Sequence, residues 1–160
     1  MSNGVKYDYQ YRVTPAVQAS AYTANRMLCA PIVIEGPFLP PNLTAAIKSI
    51  TVVNLSASAP VLDFIFFKED VAITNGINGT CNVSNADLQN SVTFVEQIGS
   101  GAWITDVLGS GTIRMATTHP TNLTVNSTSA GKVKLVVMTR TAITPASTSD
   151  FTIVIDFEVL

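Results

Sequence analysis

Few residues of this chain could do chemistry, and none has the company that chemistry needs. The single histidine, His119, stands in Thr117-Thr118-His119-Pro120, where no neighbouring Cys or Asp pattern offers a nucleophile or an orienting acid. It reads as a solvated loop side chain. Cys29 and Cys81 are 52 residues apart, and with one histidine they make no zinc spacing. Both read as free, buried thiols. Gly99-Ser100-Gly101 and Gly109-Ser110-Gly111 lack the Lys of a phosphate loop and are not part of a Gly-x-Ser-x-Gly elbow, so they read as hairpin turns. Asp70, Asn75, Asn78, Asn82 and Asp87 bring oxygens to one region, but without the spacing of an EF-hand they read as polar turns. The expectation is a protein that is not an enzyme, with no cofactor and no metal.

Asp63 is the carboxylate that stands out. It interrupts Val61-Leu62-Asp63-Phe64-Ile65-Phe66-Phe67, and a lone carboxylate buried in so apolar a run carries a large desolvation cost. Three readings stay open: an edge-facing charge that blocks sheet addition, an ion pair with Lys48 or Arg114, or a catalytic acid. The run itself demands burial on both faces, by loops or by a neighbouring subunit.

Aromatic residues offer binding rather than catalysis. Tyr7, Tyr9 and Tyr11 alternate with Asp8, Gln10 and Arg12, which puts three tyrosines on one face of the first strand. They either pack on the protein's own sheet or present a stripe to another chain, as tyrosine does at interfaces. The loop Pro37-Phe38-Leu39-Pro40-Pro41 cannot serve a central ladder, because proline lacks the N–H donor; it carries Phe38 and Leu39 outward or tucks them under. Tyr7, Tyr9, Tyr11, Arg12, Pro37, Phe38, Leu39 and Pro40 are therefore the candidate interface residues.

These residues are positioned by a chain of 160 residues that is 47% hydrophobic but only 12% charged, about half the charge of a typical soluble domain. Its polar surface must be hydroxyl and amide: there are 19 Thr, 13 Ser and 11 Asn. Val, Ile and Thr fill 50 positions and Leu only 10, which favours strands over helices. A net charge of −2 without a Lys or Arg run leaves no footprint for nucleic acid. No apolar run is long enough to cross a bilayer, and the opening residues lack a Sec-type signal, so synthesis in a cytoplasm is expected. Without that signal the sequons at Asn42, Asn54, Asn78, Asn82, Asn122 and Asn126 read as chance products of composition.

Strand patterns recur every eight to twelve residues. They fall at 6–14, 32–34, 45–55, 61–67, 92–97, 103–108, 112–117, 123–125, 132–141 and 151–160. Ser84-Asn85-Ala86-Asp87 starts one short helix over 85–90, with Ser84 as N-cap. The fold class is all-β: a two-sheet antiparallel sandwich, jelly-roll-like. An N-terminal arm or first strand, 1–14, precedes a single domain, 15–160.

Read in order, Val13-Thr-Pro-Ala-Val-Gln-Ala-Ser-Ala-Tyr22, Ile47-Lys-Ser-Ile-Thr-Val-Val-Asn54, Leu62-Asp-Phe-Ile-Phe-Phe-Lys68, Ser84-Asn-Ala-Asp87 and Thr148-Ser-Asp-Phe-Thr-Ile153 form a pattern. In it the chain resembles a family of small β-rich head proteins of tailed bacteriophages and prophages, which includes capsid decoration or cement proteins. It departs from that family over Ala24 to Ala30, where the family usually has Gly-Asp and then Gly-Gly. The resemblance implies a virion protein on the capsid surface that bridges subunits of the major capsid protein, often as a homotrimer. The alternative is a carbohydrate- or receptor-binding module of a phage tail or fibre, with Trp103, Tyr22 or Phe38 stacked on sugar rings.

Overall fold

The computed structural model describes residues 8–35, 44–67, 71–105, 109, 112–120, 124–126 and 131–159, with the backbone alone described at Phe94 and Asn126. The β-branched segments form β1 (Asp8–Val13), β2 (Arg26–Met27), β3 (Ile32–Glu35), β4 (Thr44–Asn54) and β5 (Leu62–Phe67). A helix α1 (Asn85–Ser91) leads into β6 (Val92–Ile98), β7 (Ile104–Thr105), β8 (Arg114–Thr118), β9 (Thr124–Asn126), β10 (Lys132–Thr139) and β11 (Phe151–Val159). Of the expected strand over 103–108, Ile104 and Thr105 form β7; Trp103 precedes it in the core, and residues 106–108 lie outside the described residues.

One sheet has the order β1-β11-β4-β8-β7, with β9 also on β4; the other runs β2-β10-β5-β6, with β3 also on β10. All pairs are antiparallel. The pairing is nested: β1 with β11, β2 and β3 with β10, β4 with β8, β5 with β6. That is a long hairpin rolled on itself so that β4 also meets β11 and β5 also meets β10, which is the jelly-roll order.

The core lies between the sheets, where Ile50, Val52, Phe64, Phe66, Leu135, Ile153, Ile155 and Phe157 interdigitate. Each such side chain contributes about 1.5–3 kcal/mol by leaving water. Period two explains the choice: Leu62, Phe64 and Phe66 point inward from β5, and Asp63, Ile65 and Phe67 point out.

All six residues of β5 are buried, as its continuous apolarity requires. The cover on its outer face is the protein's own chain: Val71, Ile73, Cys81, Val83 and Val92 close over Met27, Ile65, Phe67, Val136 and Met138. Of the two covers open for this run, loops or a neighbouring subunit, the described residues supply the first. Backbone bonds dock the cover on β2, with Asn78 N–H donating to Met27 O (2.9 Å) and Met27 N–H to Gly79 O (2.8 Å). Asn75 and Asn82 tie the turn to itself through Thr80 and Thr74. Gly79 is needed there, because a Cβ would sit 2.9 Å from both Asn75 Cβ and Gly76 O.

Candidate interaction surfaces

The two outer faces differ. The β10-β5 side carries its own cover, whereas no helix or strand of the described residues forms a layer over the outer face of the six-stranded sheet. On that bare face the alternation of β1, β11, β4 and β8 aligns polar side chains in rows across the strands. They bond to one another: Thr14 to Thr152 and Thr51 to Thr117, each through hydroxyls at 2.9 Å. Gln10 Nε2 donates to Asp156 Oδ1 at 2.9 Å, and Ser49 Oγ donates to Asp156 Oδ2 at 2.6 Å. Lys48 pairs with Glu158, beside the β-bulge at Asp156 and Phe157. Glu158, Val154 and Ser49 are buried on this face, at 5%, 6% and 8% exposure. The bond to Glu158 raises the pKa of the Lys48 ammonium, with the charges of Glu158 and Asp8 adding to it.

β1 is the edge of this sheet and holds three of the expected interface residues. Tyr9 and Tyr11 lie half-buried against the inter-sheet core. Burial, and next the charge of Glu35, push the Tyr11 hydroxyl pKa up. Arg12, with Asp8 and Gln10, is exposed on the outer face. Tyr7, Pro37, Phe38, Leu39 and Pro40 lie outside the described residues. Residues 8–14 of the expected arm thus run in and beside the sheet.

Asp63 is bound, but by neither Lys48 nor Arg114. Arg140 Nε donates to its Oδ2 at 2.5 Å and Gln97 Nε2 to its Oδ1 at 2.7 Å. Sequence spacing cannot show this, because Arg140 is 77 residues away and reaches Asp63 only through the β10–β5 pairing. Nor is Asp63 an edge charge, since β5 has neighbours on both sides. His119 is exposed, as a solvated loop residue is. Cys29 is buried in the inter-sheet core, and desolvation pushes its thiol up to about 12. Cys81 is half-buried rather than buried, because it sits at the rim of the outer cover, and burial raises its thiol too.

Two of the three aromatic residues of the sugar-binding alternative, Trp103 and Tyr22, are occupied. Trp103 is buried, with its indole N–H bonded to Pro60 O at 2.8 Å, and Tyr22 is buried with its hydroxyl bonded to Gln18 N and Leu28 O. Phe38 lies outside the described residues. Of the sequons, Asn54 is fully buried and binds Ser56 and Ser58, which makes it a structural turn. Asn82 is bonded within the cover, and Asn78 within reach of Ala21 O. Asn42 and Asn122 lie outside the described residues, as does the side chain of Asn126.

No family model matches the chain, and no curated protein does. Among solved structures, the chain is similar to one from tomato aspermy virus, with a TM-score of 0.46 at 14% identity over 99% of this chain and 79% of that one. It is also similar to VP1 of KI polyomavirus in an unassembled pentamer, with a TM-score of 0.26 at 8% identity over 100% of this chain and 96% of that one. For VP2 of an infectious bursal disease virus subviral particle the TM-score is 0.25 at 15% identity, over 98% of this chain and 42% of that one. The jelly-roll assignment rests on the strand order, not on these likenesses.

Proposed function

We propose that this chain is a virion structural protein of the decoration or cement kind, which binds the outside of an assembled phage head and bridges subunits of the major capsid protein. The observation that carries this reading is the outer face of the six-stranded sheet, over which the described residues lay no helix or strand. Its polar side chains are already bonded to one another, so a partner that covers them leaves few donors or acceptors stranded. Of the charges on this face, Lys48 is paired with Glu158, and Asp156 accepts from Ser49 and Gln10, which lowers the cost of covering them. The buried carboxylates of the described residues are held by the fold rather than presented to a substrate: Asp63 by Arg140 and Gln97, Asp150 by Ser147 and two backbone N–H groups, Glu158 by Lys48.

The fold agrees, since jelly rolls serve viral capsid domains, although they also serve lectins and other functions, so fold alone decides nothing. The tailed-phage assignment, the capsid-surface location and the homotrimeric docked form come from the sequence resemblance. The mechanism is mass action: a protein that binds the closed shell and not its free subunits lowers the free energy of the shell. Co-sedimentation with assembled heads and with free capsid subunits tests this. Saturable binding to heads, with a regular lattice of added density by cryo-electron microscopy, is expected. Binding to neither, or density at the tail alone, overturns it.

A further inference from the structure

From the residues of β1 we infer that this strand is a self-complementary edge, by which two copies of the chain join in one continuous antiparallel sheet. Among the described residues β1 pairs with β11 alone and so ends the six-stranded sheet. Its outer face presents Asp8, Gln10 and Arg12, all exposed, and its inner face Tyr9, Tyr11 and Val13. Residues four apart on a strand are about 13 Å apart, too far for Asp8 and Arg12 of one copy to pair with each other. They are placed to pair between copies.

An antiparallel pair about a two-fold axis through Gln10 sets Asp8 of each copy opposite Arg12 of the other, on the same face. The same register sets Tyr9 opposite Tyr11. Opposite charges and aromatic rings directly across a ladder both stabilise it. The alternatives are worse: an axis through Asp8 or Arg12 sets like charges opposite, and one through Tyr9 or Tyr11 pairs a charge with Gln10. Charge thus selects the partner, a second copy, and the register. The contact is isologous, as two-fold interfaces are. A pairing of the five residues Asp8 to Arg12 on each copy is a small interface with exposed ion pairs, so the association is weak and depends on concentration and salt.

Sedimentation velocity of the purified full chain, from about 10 μM to about 1 mM, is expected to show a monomer–dimer equilibrium. Arg12→Glu and Asp8→Arg each set two like-charge pairs across the ladder and are expected to raise the dimer dissociation constant at least about tenfold. The double variant Asp8→Arg with Arg12→Glu exchanges the charges and is expected to restore it to within about threefold. Circular dichroism and the thermal midpoint should not change, because both side chains are exposed. A wild-type chain that stays monomeric, a trimer without a dimer, single variants without effect, or a double variant that does not recover would each overturn the inference. It concerns the isolated chain: a monomer that still binds heads overturns this contact and leaves the proposed function standing.

Discussion

Arg140 Nε lies 2.5 Å from Asp63 Oδ2, and this pair lets a carboxylate sit in the outer face of β5 beside Ile65 and Phe67. The pair is lopsided: the Asp63 side chain is 7% exposed and that of Arg140 35%. Removing either partner is therefore not equivalent. Arg140→Ala leaves a buried carboxylate with Gln97 alone and is expected to cost about 2 kcal/mol, below the range for a fully buried pair because Arg140 is partly solvated. Asp63→Ala lets the guanidinium turn to water and is expected to cost about half as much. Urea denaturation of both variants measures this; a larger loss in Asp63→Ala would contradict it.

Phe67 belongs to the cluster outside the sandwich, under the 71–83 cover, and is fully exposed only if that cover leaves. Phe67→Ala in the isolated chain is thus expected to cost about 3–5 kcal/mol, as much as Phe64→Ala in the inter-sheet core. If a partner rather than the protein's own chain completed this face, the isolated variant would lose under about 1 kcal/mol. Chemical denaturation without any partner present separates the two results.

Tyr22 connects the segment after β1 to the core by one hydroxyl that accepts from Gln18 N–H at 2.6 Å and donates to Leu28 O at 2.8 Å. Phenylalanine in its place keeps the packing and strands a donor and an acceptor. The expected cost of Tyr22→Phe is about 2 kcal/mol. A thermal midpoint equal to that of the parent protein would show that water takes over both bonds.

What the chain writes locally could be read from it. The alternation of Phe151 to Val159, which Val154 breaks, marks β11, the two-sided apolarity of Leu62 to Phe67 marks β5 as central, and Ser84 with Asp87 marks the start of α1. In α1 the Asp87 N–H bonds Ser84 Oγ at 3.1 Å, as a capping box requires. What depends on which strands become neighbours could not be read. The Asp63 partner and the closure of 71–83 over Phe67 both join residues whose meeting the jelly-roll order decides. The 71–83 stretch shows its turn dipeptides plainly, but nothing local says that Val71, Ile73 and Val83 will be laid across a sheet. Low overall charge was legible as a surface property, while its arrangement into bonded Thr–Thr and Asp–Ser rows needed the register of β1, β11, β4 and β8.

Cys29 makes the fold sensitive to alkali. Burial lifts its thiol from the ordinary 9.0 to about 12, so between those values the unfolded chain has released a proton that the folded chain still holds. The unfolded state then binds fewer protons, and stability falls as pH rises, by about 1.4 kcal/mol for each pH unit. Below pH 9 the contribution is fully present. Burial also raises the hydroxyls of Tyr11 and Tyr22 and the thiol of Cys81, which steepen the loss in the same direction. Urea midpoints measured from pH 8 to pH 11 should therefore decline, and Cys29→Ala should flatten the decline while lowering stability at pH 8 by about 1 kcal/mol for the lost packing. The same burial sets an order of alkylation under native conditions: iodoacetamide should label half-buried Cys81 well before Cys29, which reacts only through opening of the inter-sheet core. Equal labelling rates, or an unchanged pH slope in Cys29→Ala, would show that the thiol is not held in the core as described.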